Sequence, residues 1–143
     1  AVDDADQPWV IMRLVEGRSL RETVAHEGPL DSVRAARLGL GLLDALDAAH
    51  AAGVVHRDVK PSNVLIANGR PLLTDFSIAT VAGAPVPLRG AAVMGSPGYV
   101  APERLHGEEG EGPADLFGLG ATLFYAVEGY GPFAREDAMA CRT

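Results

Sequence analysis

A chain of 143 residues, 48% of them hydrophobic, has material for one packed core and too little for two. Its formal charge of −7 and isoelectric point near 4.9 argue against the clustered cationic surface that nucleic acid requires. A single cysteine, Cys141, excludes an intrachain disulfide and a cysteine-based zinc site, which points to a reducing compartment and leaves Cys141 as an inert thiol.

The opening AVDDADQPW is acidic where a signal peptide is basic, and no apolar run reaches the length of a membrane span. The expected location is cytoplasmic, with no membrane segment in this chain. WVIMRLV, Trp9 to Val15, is a β-branched and aliphatic run ending at Glu16-Gly17, which predicts a buried strand and a turn. A short helix follows from Ser19 or Leu20 to about His26 and ends at Gly28-Pro29. The longest helical signal runs from an Asp31 cap to Ala52. Its polar residues Arg34, Arg37, Asp44 and Asp47 form one narrow stripe, while Val33, Leu38, Leu40, Leu42, Leu43 and Leu46 cover the rest, so this helix is expected to be central. Gly53 is placed to stop it in a left-handed conformation.

Val64–Ala67 and Pro71–Leu73, separated by Asn68-Gly69-Arg70, read as a β-hairpin. Ala79 to Gly95 is rich in Gly, Pro and Ala without a period and reads as a long loop, the kind of segment that is functional or disordered. A further helix is predicted from Pro113, through Asp115, Leu116, Leu119 and Leu123, to about Val127, and Gly129 to Pro132 breaks it. There is no internal repeat.

The stretch VVHRDVKPSNVLI, Val54 to Ile66, crowds a histidine, an arginine, an aspartate, a lysine and an asparagine between two apolar runs, and Lys60 is the single lysine among twelve basic residues. An aspartate beside a histidine is most often a solvated or structural pair. Here Asp58, Lys60 and Asn63 share one loop after the long helix, and the hairpin should return Asp75 to the neighbourhood of Asn63. An amide and a carboxylate oxygen suit Mg²⁺ when phosphate and water complete its octahedron. A carboxylate at Asp58 can orient or deprotonate a hydroxyl, and the Lys60 ammonium can neutralise a transferred phosphoryl group. The chemistry implied is phosphoryl transfer.

HRDVKPSN resembles the catalytic loop of eukaryotic-type protein kinases, and further motifs follow in the family's order. TDFS, Thr74 to Ser77, is similar to the metal-binding Asp-Phe-Gly element, and GSPGYVAPE, Gly95 to Glu103, to the end of an activation segment. PADLFGLG, Pro113 to Gly120, resembles the start of the central helix of the large lobe, and WVIMRLVEGRSL resembles the last small-lobe strand and the hinge. The resemblance, to bacterial Ser/Thr kinases in particular, implies an α+β, protein-kinase-like fold. Residues 1–15 would be the last small-lobe strand and hinge, and 16–143 part of a helical large lobe.

The resemblance also assigns roles. Asp58 would be the catalytic base, Lys60 its charge-neutralising neighbour, and Asn63 and Asp75 the Mg²⁺ ligands that accompany ATP. Met12, Arg13, Val15, Ser19 and Leu65 would meet the nucleotide, although Met12 and Leu65 are equally explained as core filler. Ser96 would help hold the base and marks a protein substrate with Ser or Thr; Glu103 would pair with an arginine late in the large lobe. His56, Arg57 and Asp115 would be structural, with Asp115 bracing the catalytic loop.

Ser77 stands where the family has glycine, which should restrict switching at Asp75, and Phe117 where tryptophan is common. Only eight residues precede Trp9, no GxGxxG pattern is present, and no second lysine exists for the upstream pairing that kinases use. The expectation is a fragment, with most of the small lobe and the late helices missing, that is inactive alone. Two other readings are a pseudokinase-like binding module and a small-molecule phosphotransferase. The intact Asp58, Asn63 and Asp75 argue against the first, and GSPGYVAPE against the second. Arg57 precedes the aspartate, a position that commonly grips a phosphate on the activation segment, yet Val81 to Gly95 carries no hydroxyl to receive one.

Overall fold

The computed structural model describes residues 12–76, 80–81, 96, 98–106 and 112–133. Helix α1, Leu20–Glu27, begins at Ser19, whose hydroxyl accepts from the Glu22 N–H at 3.2 Å while the Glu22 carboxylate accepts from the Ser19 N–H at 2.8 Å. This reciprocal capping box satisfies donors the first turn would otherwise strand, and the same bonds hold the Glu22 carboxyl below its ordinary pKa. Asp31 caps helix α2, Ser32–Ala51, by accepting from the N–H groups of Val33 and Arg34. Gly53 then takes φ 73°, as its place after the helix predicts.

The strands are short and are fixed by what they pair with. Strand β1, Arg18–Ser19, and strand β4, Arg70–Leu73, flank strand β3, Val64–Ala67, in an antiparallel sheet of order β1-β3-β4. The β3–β4 turn is Asn68-Gly69, with both residues at positive φ (50° and 72°), which matches the right-handed twist of the strands. Pro71 sits on the edge strand, where a missing N–H is tolerated, and packs on α2 at Gly41, where a Cβ would stand 2.6 Å from its Cγ. Strand β2, Val54–Val55, pairs with strand β5, Thr80–Val81, so the loop expected over Ala79 to Gly95 holds one strand. Its remainder, 82–95, lies outside the described residues, as does Ser77.

Helix α3, Pro102–Leu105, is a single turn that the sequence reading did not anticipate, and helix α4, Gly112–Glu128, extends the expected helix by one residue at each end. The core lies between α1, α2, α4 and β3, built on Leu20, Val24, Leu42, Leu46, Val64 and Leu119.

Two expectations are corrected. The run from Trp9 to Val15 was expected to be a buried strand, and its first three residues, 9–11, lie outside the described residues. Residues 12–15 are not in a strand, and Met12 and Leu14 are 71% and 90% exposed, because no described segment pairs with them. Helix α2 was expected to bury most of its circumference. It buries one face, Leu38, Gly39, Leu42 and Leu46, against β4 and α4, while Val33, Leu40 and Leu43 are exposed on the side of Arg37, Asp44 and Asp47.

Helix α4 approaches the catalytic stretch through Gly118, where an added Cβ would stand 2.8 Å from the Val59 carbonyl oxygen; at Gly120 the same atom meets open space. Gly118→Ala should therefore destabilise the fold by about 1–3 kcal/mol through overpacking, whereas Gly120→Ala should stabilise it by up to about 1 kcal/mol through helix propensity. Urea denaturation of the two variants checks the opposite signs.

Candidate active site

The loop between β2 and β3 holds its shape through one buried carboxylate. Asp115, on the first turn of α4 and 1% exposed, accepts from the N–H of His56 at 2.9 Å and of Arg57 at 2.7 Å. A third bond joins its Oδ2 to His50 Nε2 at 2.8 Å, from the last turn of α2. These contacts hold Arg57 at φ 71°, a left-handed conformation that costs a non-glycine residue about 1–3 kcal/mol. His56, fully buried, spans to the far side of the loop: its Nδ1 accepts from the Asp58 N–H, and Nε2–H donates to the Thr74 carbonyl at 2.9 Å.

Asp58 emerges from this support ringed by donors. Lys60 Nζ lies 2.5 Å from its Oδ2, Asn63 Nδ2 donates to the same oxygen at 3.0 Å, and the Ser96 N–H donates to Oδ1 at 3.3 Å. Lys60 Nζ also donates to Ser96 Oγ at 2.7 Å. The loop and Ser96 are thereby joined across 36 residues of chain by two side chains and a backbone amide.

Asn63 is buried in a 3-10 turn, Pro61–Asn63, and its Nδ2 also donates to the Asp58 carbonyl at 2.9 Å. With the nitrogen committed twice, Oδ1 accepts no bond among the described residues. Thr74 returns the hairpin to this point: its N–H and Oγ1 both donate to the Asn63 carbonyl, at 2.9 and 3.1 Å. Asp75 follows directly, exposed, at φ 63°, and its carboxylate has no hydrogen bond or ion pair among the described residues. An amide oxygen and a carboxylate, both uncommitted and joined through Thr74, suit a hard divalent cation completed by phosphate oxygens and water. Phe76 packs edge-on against His56, ring centroids 4.5 Å apart, tying the start of the next segment to the loop's buried centre.

The remaining expected positions divide. Leu65 is half-buried on β3, beside Ser19 in the β1–β3 register. Arg13 is exposed, Val15 half-buried and Met12 exposed, so Met12 is not core filler. The Ser19 hydroxyl is occupied by the capping box, where it also donates to Glu22 Oε2. Glu103 is half-buried on α3. Its neighbour Arg104, which the sequence reading did not single out, donates from Nη1 to the Arg57 carbonyl at 2.6 Å. Burial, and then the Arg57 charge, hold the Arg104 guanidinium below its ordinary pKa, with Asp115, Asp58 and Glu103 opposing. His50 was also missed; a histidine in the last turn of a helix ordinarily serves the helix dipole, and nothing in its spacing announces a bond to residue 115.

The profile of the protein kinase domain matches residues 1–142 of this sequence. The chain belongs to the protein kinase family. Among curated kinases, it is 41% identical over 132 residues to serine/threonine-protein kinase PknK of Mycobacterium tuberculosis, covering 92% of this chain and 12% of that protein. It is 41% identical over 134 residues to serine/threonine-protein kinase PkaA of Streptomyces coelicolor (91% and 25%), and 40% over 139 residues to serine/threonine-protein kinase AfsK of Streptomyces griseus (93% and 17%). The chain thus spans a quarter or less of the length of these relatives. The mixture of helices and a small sheet is that of part of a kinase fold, as the resemblance implied. No described helix is long and apolar enough to cross a membrane.

Asp115→Ala removes the acceptor of two backbone N–H groups inside the kinase catalytic loop. Each stranded donor costs about 1–3 kcal/mol, so a loss of at least about 2 kcal/mol is expected in urea or thermal unfolding. His50→Ala, which removes a partner at the partly exposed edge, should cost less.

Proposed function

We propose that this chain supplies the catalytic loop, metal ligands and substrate platform of a protein serine/threonine kinase that moves the γ-phosphate of ATP to a Ser or Thr hydroxyl of a protein. The observation that carries the reading is the Asp58 carboxylate held at once by Lys60, Asn63 and the Ser96 amide. Asp58 accepts the hydroxyl proton as the hydroxyl oxygen bonds to the γ-phosphorus and the bond to the bridging oxygen of ADP breaks. Lys60, a compact cation beside Asp58 and Ser96, offsets charge on the transferring group.

Asn63 Oδ1 and the Asp75 carboxylate would hold Mg²⁺, which when bound neutralises charge on the ATP phosphates. Residues 1–15 would form the last small-lobe strand and hinge, with Met12 guarding the pocket behind adenine, the backbone of Arg13 and Val15 along the adenine edge and Leu65 beneath the ring; 16–143 would be part of the large lobe. Ser19 would contribute through its position beside Leu65, since its hydroxyl is engaged. Ser96 would hold the base, and Glu103 would anchor the segment that receives substrate. His56, Arg57 and Asp115 would be structural. The cytoplasm, where ATP is available, is the compartment this chemistry requires. The bond between Lys60 and the peptide-platform residue Ser96 favours a protein substrate over a small molecule.

In the full-length parent chain, Asp58→Asn should lower kcat by about 10²–10⁴-fold with little change in ATP affinity, as expected for loss of a general base. Asp75→Asn should weaken Mg·ATP binding as well as turnover. Radiolabel transfer and nucleotide titration separate the two, and near-normal turnover of Asp58→Asn would remove Asp58 as the base. The 143-residue chain by itself should show no useful transfer to a generic basic protein from Mg·ATP, because it has no glycine-rich loop and no second lysine.

A further inference from the structure

Lys60 and Ser96 do not only hold Asp58; they also line a cavity of about 530 Å³ whose wall includes Arg21, Tyr99, Tyr125 and Phe133. That volume lies within the ordinary range of ligand sites. Because Lys60 and Ser96, which both bond Asp58, line the cavity, it is the space that a polypeptide presenting a hydroxyl to Asp58 would occupy. Its wall combines two cations with phenol hydroxyls and aromatic faces, and among the described residues it contains no Asp or Glu.

The two cations are not equivalent. Lys60 is ion-paired with Asp58, whereas Arg21, exposed on the first turn of α1, has no ion pair among the described residues. Tyr99 and Tyr125 are half-buried in the same wall: burial and Tyr125 push the Tyr99 hydroxyl up from its ordinary pKa, and the Arg21 charge opposes them. The Tyr99 phenol is thereby held as a protonated donor. A guanidinium with two hydroxyl donors beside it matches a carboxylate, which accepts charge-assisted hydrogen bonds from Arg in forked geometry. A basic side chain in the same place would meet Arg21, which no carboxylate among the described wall residues offsets, and like-charge juxtaposition is a strong source of rejection.

We propose that the Arg21–Tyr99–Tyr125 wall is a subsite for an acidic side chain flanking the target Ser or Thr, so that this kinase selects acidic protein segments and rejects basic ones. The inference rests on the kinase reading above and gives it a substrate class. The chain's own net charge of −7 would predict the opposite preference, for basic partners.

The test uses the full-length parent chain and three sets of serine peptides on a neutral alanine background: unmodified, with one Glu, and with one Arg, the charged residue walked through the positions on both sides of the serine. At the best Glu position, kcat/KM should exceed that of the matching Arg peptide by at least tenfold. Arg21→Ala should reduce that ratio severalfold, and Arg21→Glu should invert it. Because each readout is a ratio within one protein, a general loss of activity in a variant leaves it interpretable. Equal use of Glu and Arg peptides, a preference for Arg, or an Arg21→Glu ratio equal to that of the unmutated enzyme would overturn the subsite while leaving the kinase reading intact. Failure to phosphorylate any peptide or generic protein would instead overturn the kinase reading, and the subsite with it.

Discussion

The catalytic loop depends on a contact between residues 58 positions apart in sequence, the Asp115 carboxylate and the Arg57 N–H. A loop that must place Arg57 in a left-handed conformation has no local reason to do so, since the residue is not glycine and belongs to no helix cap. The carboxylate supplies the reason by accepting two consecutive N–H groups, and it can do so from a buried position because those donors and His50 compensate its charge. Arg104 then engages the carbonyl of the same peptide stretch from the other side. Donor and acceptor of Arg57 are both fixed by side chains from α3 and α4, so the direction in which the chain leaves toward Asp58 is set by tertiary structure.

That direction determines the rest of the site. Once Asp58 projects from the loop, Lys60 and Asn63, two and five residues on, fall within reach of its carboxylate, and the hairpin returns Thr74 to the Asn63 carbonyl. His56 closes the circuit by spanning from the Asp58 amide to the Thr74 carbonyl. Backbone and side-chain hydrogen bonds thus link Asp58, Asn63 and Thr74, the residue before Asp75, into one unit, and such preorganisation is what electrostatic catalysis of phosphoryl transfer needs.

Much of this was legible in sequence because it is local or carried by turn chemistry. The Asn68-Gly69 turn sets the hairpin register, the register places Thr74 opposite Asn63, and Asp75 follows. Ser19 and Asp31 mark both early helix starts by side chains that bond within three residues. What was not legible is long-range. Arg104 reads as a solvated arginine in a four-residue helix, and His50 as a helix-terminal histidine; only the fold brings them to Arg57 and Asp115. Helix α2 was misjudged for the related reason that a broad apolar surface does not say which part meets a neighbour. The side that contacts α4 and β4 is the one with Gly39 and Gly41, where close approach is sterically allowed.

Charge shows the same separation between bulk and local properties. The acidic total argues against a nucleic-acid surface, because that surface needs many clustered cations. It says nothing about the immediate surroundings of the site. Lys60, Arg57 and Arg104 gather at the loop with Asp58, Asp115 and Glu103, and Arg21 lines the same cavity as Lys60, whereas Asp44 and Asp47 lie on the exposed face of α2. At physiological ionic strength, solvent screening confines the influence of exposed acids to roughly 8 Å, and buried or partly buried charges are screened far less. The charge at the site is therefore set by the few groups within that distance, and the total charge of a chain does not give its local sign.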